Sequence, residues 1–143
     1  MIEITKNPID TSKTLAAVQS ELAGASVLFV GSTRKMTNGR ETLKLNYQCY
    51  EELATKKIAE ILELAKSKWN IVEASIVHRV GVVDLGEASI AVAVSSPHRV
   101  DCFESAKWLV DELKQQVPIW KQEFWADGST EWIHPDGATP GEV

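Results

Sequence analysis

The chain has 143 residues, 44% hydrophobic and 24% charged, with 15 Lys and Arg set against 20 Asp and Glu. A chain of this length forms one globular domain, burying roughly two-thirds of its unfolded surface without a disulfide or metal staple. A net charge of -5 excludes a nonspecific nucleic-acid surface, which needs a basic footprint to release counterions. It leaves room for a small cationic site in an acidic body.

The elements follow in order. Ile2–Thr5 reads as a short strand, and Asp10 or Thr11 caps a helix running to about Leu22. Ser26–Thr33 is an apolar strand. Arg34–Glu41 is a loop with the turn signal Asn38-Gly39. Thr42–Tyr50 alternates, with Leu43, Leu45, Tyr47 and Cys49 on one face. Glu51–Trp69 is an amphipathic helix whose stripe is Ala54, Ile58, Ile61, Leu62, Ala65 and Trp69.

Ser75–Asp84 and Ala88–Ser95 are strands around the Leu85-Gly86 turn. The second is apolar on both faces and therefore interior. Ser96 caps and Pro97 opens a helix to about Val117, where Pro118 stops it. Ile119–Ala126 and Thr130–Ile133 form a last hairpin around Asp127-Gly128. The fold class is α+β, mostly antiparallel, with packed helices and a C-terminal hairpin. One domain is expected over residues 1–133. The Pro/Gly-rich residues 134–143 are expected to form a flexible tail.

No apolar run reaches the roughly 20 residues of a membrane span, and residues 1–10 lack a signal-like apolar core. Two cysteines and three scattered histidines make neither a disulfide framework nor a zinc site. A cytoplasmic location is expected.

Cations concentrate in three places: Arg34-Lys35 with Arg40, His98-Arg99, and Lys114 with Lys121. Basic residues at a helix N-terminus oppose its partial positive charge, a conflict that a bound anion would reverse. At about 100° per residue, Arg99 shares a stripe with Phe103, Ala106, Val110, Leu113 and Val117, so its guanidinium is expected to start over the core. Asp101 and Glu104 could instead simply neutralise it. Surface pairing with Asp111 accounts equally well for Lys107 and Lys114, and Lys121 could lay its stem along Trp120, Phe124 and Trp125. Cys49 and Cys102 read as core, and His78-Arg79 as a structural pair. Trp108 marks either a protein interface or a ring lying flat on a neighbouring loop.

The segments FVGSTR (29–34), NYQCYEELA (46–54), IVHRVG (76–81), DLGEASIAVAVSSPHR (84–99) and DELKQQVPIWKQE (111–123) closely resemble the molybdopterin synthase large, catalytic subunit family. The similarity runs in order from about Ala25 to Ile133. It implies an α/β-hammerhead type of α+β fold. It also implies a homodimer that binds two copies of a small ubiquitin-like sulfur-carrier protein, giving a heterotetramer. The carrier's Gly-Gly end bears a thiocarboxylate, and two sulfurs pass in succession to cyclic pyranopterin monophosphate to make the molybdopterin dithiolene. No metal or cofactor is implied.

By motif, Lys114 and Lys121 are the expected catalytic residues. Ser32, Thr33, Arg34, His98, Arg99, Gln122 and Glu123 are the expected substrate-binding residues. Relatives add a basic residue from the C-terminal region of the other subunit. Here no Arg or Lys follows Lys121, which makes Arg40 and Lys35 candidates for that place. An ordinary lysine, with a pKa near 10.4, is neutral in fewer than about one copy in a thousand at pH 7. Lys114 therefore suits charge stabilisation and proton donation, with a covalent role left open. The alternative is a noncatalytic carrier- or pterin-binding module of the same fold.

Overall fold

The computed structural model describes residues 1–133. The expected tail at 134–143 lies outside the described residues. In chain order the elements are β1 (Ile2–Thr5), α1 (Thr11–Ala16), β2 (Ala25–Ser32), β3 (Met36–Thr37), β4 (Arg40–Cys49) and α2 (Glu51–Lys68). There follow β5 (Glu73–Arg79), β6 (Gly81–Asp84), β7 (Ala88–Ser96), α3 (Arg99–Gln116), β8 (Ile119–Trp125) and β9 (Thr130–Ile133). The class is the expected α+β. Its strands divide between two sheets.

The first sheet has the order β1-β5-β7-β2. Only β1 and β5 run parallel; the other pairings are antiparallel. As expected, β7 is interior, and Ser89–Ser96 is buried throughout. Ile90, Val92 and Val94 join the core with the inner stripes of α2 (Ala54, Ile58, Ile61) and α3 (Cys102, Leu109, Leu113). On α2, Glu51 and Glu52 occupy the first turn and Lys66 and Lys68 the last, complementing the helix dipole. The second sheet has the order β3-β4-β8-β9, with β6 also paired to β4.

Several local expectations are corrected. Helix α1 stops at Ala16, well short of Leu22. Ser20 Oγ accepts from Leu22 N at 3.1 Å, an alternative partner for the backbone that competes with helix. Ser75–Asp84 is not one strand. Gly81, at φ +84°, turns the chain out of the first sheet, so β5 pairs with β7 while β6 pairs with β4. A side chain with a Cβ adopts that φ at a cost.

Helix α3 begins at Arg99, with His98 at the cap position. Ser96 belongs to β7, opposite Ala25, and its hydroxyl donates to the His98 carbonyl at 2.6 Å. Leu43 leaves the predicted inner face and is 53% exposed, while Thr42 is buried. A register shift between Thr42 and Lys44 against β8 is the cause: a bulge inserts one residue and reverses the alternation.

Candidate functional site

The two sheets and the C-terminal end of α3 enclose a cavity of about 480 Å³. Its floor is apolar: Leu45, Ile58, Ile76, Ile90, Leu113 and Val117. Its polar lining comes from the end of β2 (Ser32, then Arg34), from β4 (Tyr47), β5 (His78), β7 (Ser89), α3 (Lys114) and β8 (Lys121, Glu123). At Gly31 a Cβ would lie 2.8 Å from Ile90 Cγ2. Only glycine lets β2 approach β7 this closely, just before the register shift at Ser32.

Arg34, Lys114 and Lys121 thus reach one cavity from three elements. Among the described residues none of the three has an ion-pair partner, whereas Lys107 is paired with Asp111 at 2.7 Å and Lys35 with Glu41 at 3.5 Å. Lys114 stands in the last turn of α3, where the carbonyl end of the helix favours a cation. Lys121 and Glu123 share one face of β8 by strand alternation. They lie opposite Tyr47 and Leu45 of β4.

Glu123 is 2% exposed. Its Oε1 accepts from Thr42 Oγ1 at 2.6 Å, and its Oε2 has no hydrogen-bond partner among the described residues. The bulge that expels Leu43 is what turns Thr42 inward to make this bond. Gln122 points to the other face, where its Oε1 accepts from Asn46 Nδ2 at 3.3 Å; it does not line the cavity. Thr33 is buried beside Ser32, its hydroxyl unpartnered among the described residues, and it also lies outside the lining.

His98 and Arg99 are not brought to this cavity within the chain. They stand at the start of α3, and Lys114 lies fifteen residues further along the same helix, about 22 Å at 1.5 Å per residue. Nor does Arg99 sit over the core. It is exposed, as is Phe103 at 62%, because the buried stripe of α3 is centred on Cys102, Ala106, Leu109 and Leu113. Arg40 and Lys35 are both engaged elsewhere. The Arg40 guanidinium lies 3.8 Å from the Trp125 ring centroid and faces Asp127 and Glu131.

Sequence reasoning missed Tyr47, His78 and Ser89 as lining residues. Tyr47 carried a signal, being two positions from Leu45 on the alternating face of β4. Burial pushes its pKa up, with the Ser89 side chain pulling the other way. The His78 ring meets Tyr47 edge-on at 5.1 Å. Its Nδ1 lies 2.8 Å from the Arg79 carbonyl, and burial lowers its pKa to about 4.

The cysteines take the core role expected of them. Cys102 is buried, with Sγ donating to the Val94 carbonyl at 3.0 Å. Burial, aided by the charge of Glu51, pushes the Cys49 thiol up, away from nucleophilic thiolate. Trp108 packs on Trp69 with centroids 5.5 Å apart. The two rings are tilted by 57°, so Trp108 packs against Trp69 without lying flat on it.

Unpaired cations around an apolar cavity equip a protein to bind an anionic substrate and to stabilise charge as a group is transferred to it. The comparisons specify the class. The family model described as MoaE protein matches residues 4–116. A molybdopterin synthase catalytic subunit of Bacillus subtilis (strain 168) is 44% identical over 92% of this chain and 83% of its own length. One from Culex quinquefasciatus is 40% identical, over 92% and 85%. The crystal structure of molybdopterin synthase from Staphylococcus aureus superposes with a TM-score of 0.86 at 37% identity, covering 91% of this chain and 94% of that one. A protein-protein complex of subunits 1 and 2 of molybdopterin-converting factor from Helicobacter pylori 26695 gives a TM-score of 0.74 at 25% identity, covering 96% and 92%. The chain belongs to the MoaE family, that of the molybdopterin synthase catalytic subunits.

Proposed function

We propose that the chain is the sulfur-transferring subunit of a molybdopterin synthase. It passes two sulfurs, one after the other, from the thiocarboxylated C-terminus of a small ubiquitin-like carrier to cyclic pyranopterin monophosphate. The observation that carries this reading is the convergence on one cavity of Arg34, Lys114 and Lys121, all without ion-pair partners among the described residues. The substrate brings a phosphate and the carrier an anionic terminus, so unpaired cations are what both require.

Lys114 and Lys121 act at the reacting carbon. Water adds to the carrier's thiocarboxyl carbon, which develops negative charge on the carbonyl oxygen; the C–S bond then breaks, leaving the sulfur on the pterin and a carboxylate on the carrier. An ammonium held beside that oxygen stabilises the developing charge in a partly apolar site, where electrostatic attraction exceeds its value in water. Lys114 is assigned charge stabilisation and proton donation. Arg34 and Ser32 bind the substrate anion at the end of β2, and Glu123 lies beside Lys121 on the same strand face. Gln122 and Thr33 support this wall from behind.

His98 and Arg99 belong to the same pocket only if supplied by a second copy of the chain, given the length of α3 between them and Lys114. Two copies with two carriers give the heterotetramer, working in the cytoplasm. The Helicobacter pylori neighbour, a complex of two subunits, supports the carrier partnership.

The test is Lys114→Ala, with thiocarboxylated carrier and cyclic pyranopterin monophosphate supplied. Dithiolene formation is expected to vanish while carrier binding and thermal stability persist, since the Lys114 side chain has no ion-pair partner among the described residues. Full activity in this variant overturns the assignment. Carrier and pterin binding by the unaltered chain without turnover establishes the noncatalytic module instead.

A further inference from the structure

Resting on the pterin-pocket reading, we propose that His78, a residue with no place in the mechanism above, is a hydrogen-bond acceptor for an N–H group of the pterin ring. It positions the ring with its phosphate toward the cations.

A backbone carbonyl can only accept, so the contact between His78 Nδ1 and the Arg79 carbonyl at 2.8 Å places the ring hydrogen on Nδ1. Burial keeps the imidazole neutral, with its pKa lowered to about 4, so Nε2 presents a lone pair. Among the described residues nothing donates to it. Edge-on contact with Tyr47 and the pairing of His78 with Ile4 and Ile90 on its two neighbouring strands fix the ring's position.

The polar lining therefore offers both donor-only and acceptor-only groups, besides the hydroxyls of Ser32, Tyr47 and Ser89, which can do either. Arg34, Lys114 and Lys121 are donors only. His78 Nε2 and the Glu123 carboxylate, whose Oε2 is unpartnered among the described residues, are acceptors only. A phosphate placed against His78 and Glu123 would meet a lone pair and a like charge. Placed against the cations, it leaves the ring's N–H groups to face the acceptors. The apolar side chains of the floor, among them Leu45, Ile76 and Ile90, offer surface for the faces of a planar ring. A Gly-Gly carrier tail, which has no side chains, offers nothing to cover that surface, so the occupant assigned to this wall is the pterin and not the tail.

The test is binding of 6-carboxypterin, followed by quenching of its fluorescence, without carrier or turnover. His78→Phe keeps a ring against Tyr47 and removes the acceptor; affinity is expected to fall by about tenfold, the scale of one lost hydrogen bond in a buried site. His78→Gln, whose Oε1 restores an acceptor near the Nε2 position, is expected to recover most of it. In turnover, the His78→Phe effect is expected in KM for the pterin substrate, with kcat and KM for the carrier unchanged. In the unaltered protein the Nε2 nitrogen NMR resonance, that of an unprotonated imidazole nitrogen, is expected to move upfield when the probe binds. This readout survives even if a variant fails to fold. The proposal is overturned by an unmoved resonance at saturation, by failure of the unaltered chain to bind the probe, by loss in His78→Gln equal to that in His78→Phe, or by an effect confined to the carrier's KM. Absence of turnover by the unaltered chain strikes the sulfur-transfer reading and leaves the equilibrium titration to decide this one.

Discussion

Thr42 Oγ1 donates to Glu123 Oε1 at 2.6 Å, and both residues are almost wholly buried, at 1% and 2% exposure. This bond ties the bulge of β4 to the strand that carries Lys121. Thr42→Val keeps the shape and removes the donor, leaving a buried carboxylate with neither oxygen satisfied among the described residues. The expected loss is about 1–3 kcal/mol of unfolding free energy, read as a lower denaturant midpoint at unchanged slope. A change below about 0.5 kcal/mol, the range of a neutral surface substitution, would show that the bond does not hold Glu123 in place.

Much of this wall was legible in the sequence. The alternation of Leu45, Tyr47 and Cys49 predicted the inner face of β4, and the apolar run of β7 predicted an interior strand. Leu43 was misplaced because a bulge depends on the partner strand, which periodicity within one segment does not contain. The single strand expected over Ser75–Asp84 failed for a related reason. Gly81 was a visible breaker inside the pattern, but its positive φ and the change of sheet are tertiary facts. In the site, Lys114 and Lys121 are close in sequence and meet on one cavity. His98 and Arg99 share a helix with Lys114, yet its length holds them far apart, a distance that a list of motifs does not convey.

That separation has a consequence for variants mixed in pairs. If His98 and Arg99 serve the pocket of a second copy, Lys114→Ala and Arg99→Ala damage opposite contributors to each site. Each variant alone is expected to be inactive. After unfolding and refolding together, half the dimers are mixed, and each mixed dimer carries one intact site. Activity of about a quarter of the unaltered level is expected from this two-fold arithmetic. No recovery in a mixture shown to contain mixed dimers would place all the residues of a site in one chain.

His78 makes stability depend on pH. Its pKa is about 4 in the fold against an ordinary 6.5, so between these values the unfolded chain binds the proton and the folded chain does not. Stability is therefore complete above about pH 6.5 and falls as pH drops toward 4, by up to roughly 3 kcal/mol. Denaturant melts across this window, compared between the unaltered chain and His78→Gln, isolate the effect. The expected result is a shallower decline in the variant. Parallel curves would mean that His78 protonates in the fold as readily as out of it.

Arg40 distinguishes structure from chemistry among the cations. Its guanidinium lies 3.8 Å from the Trp125 ring centroid, reaches Ser129 Oγ at 3.3 Å, and faces Asp127 and Glu131 at 3.7 and 3.8 Å. These contacts bind the β3–β4 hairpin to the β8–β9 hairpin outside the cavity. Arg40→Ala is expected to cost about 1 kcal/mol, mostly from the stacked cation, since exposed ion pairs contribute little. Because the stack depends less on screened charge than the ion pairs do, most of that loss is expected to persist at high salt. Arg40→Lys keeps the charge but not the planar stack, and is expected to recover less than half the loss. Sulfur transfer at saturating substrates is expected to remain within about twofold of the unaltered chain, because Arg40 spends its charge on the hairpins. A large rise in KM for the pterin substrate in Arg40→Ala, with stability intact, would instead give Arg40 a direct part in binding the substrate anion.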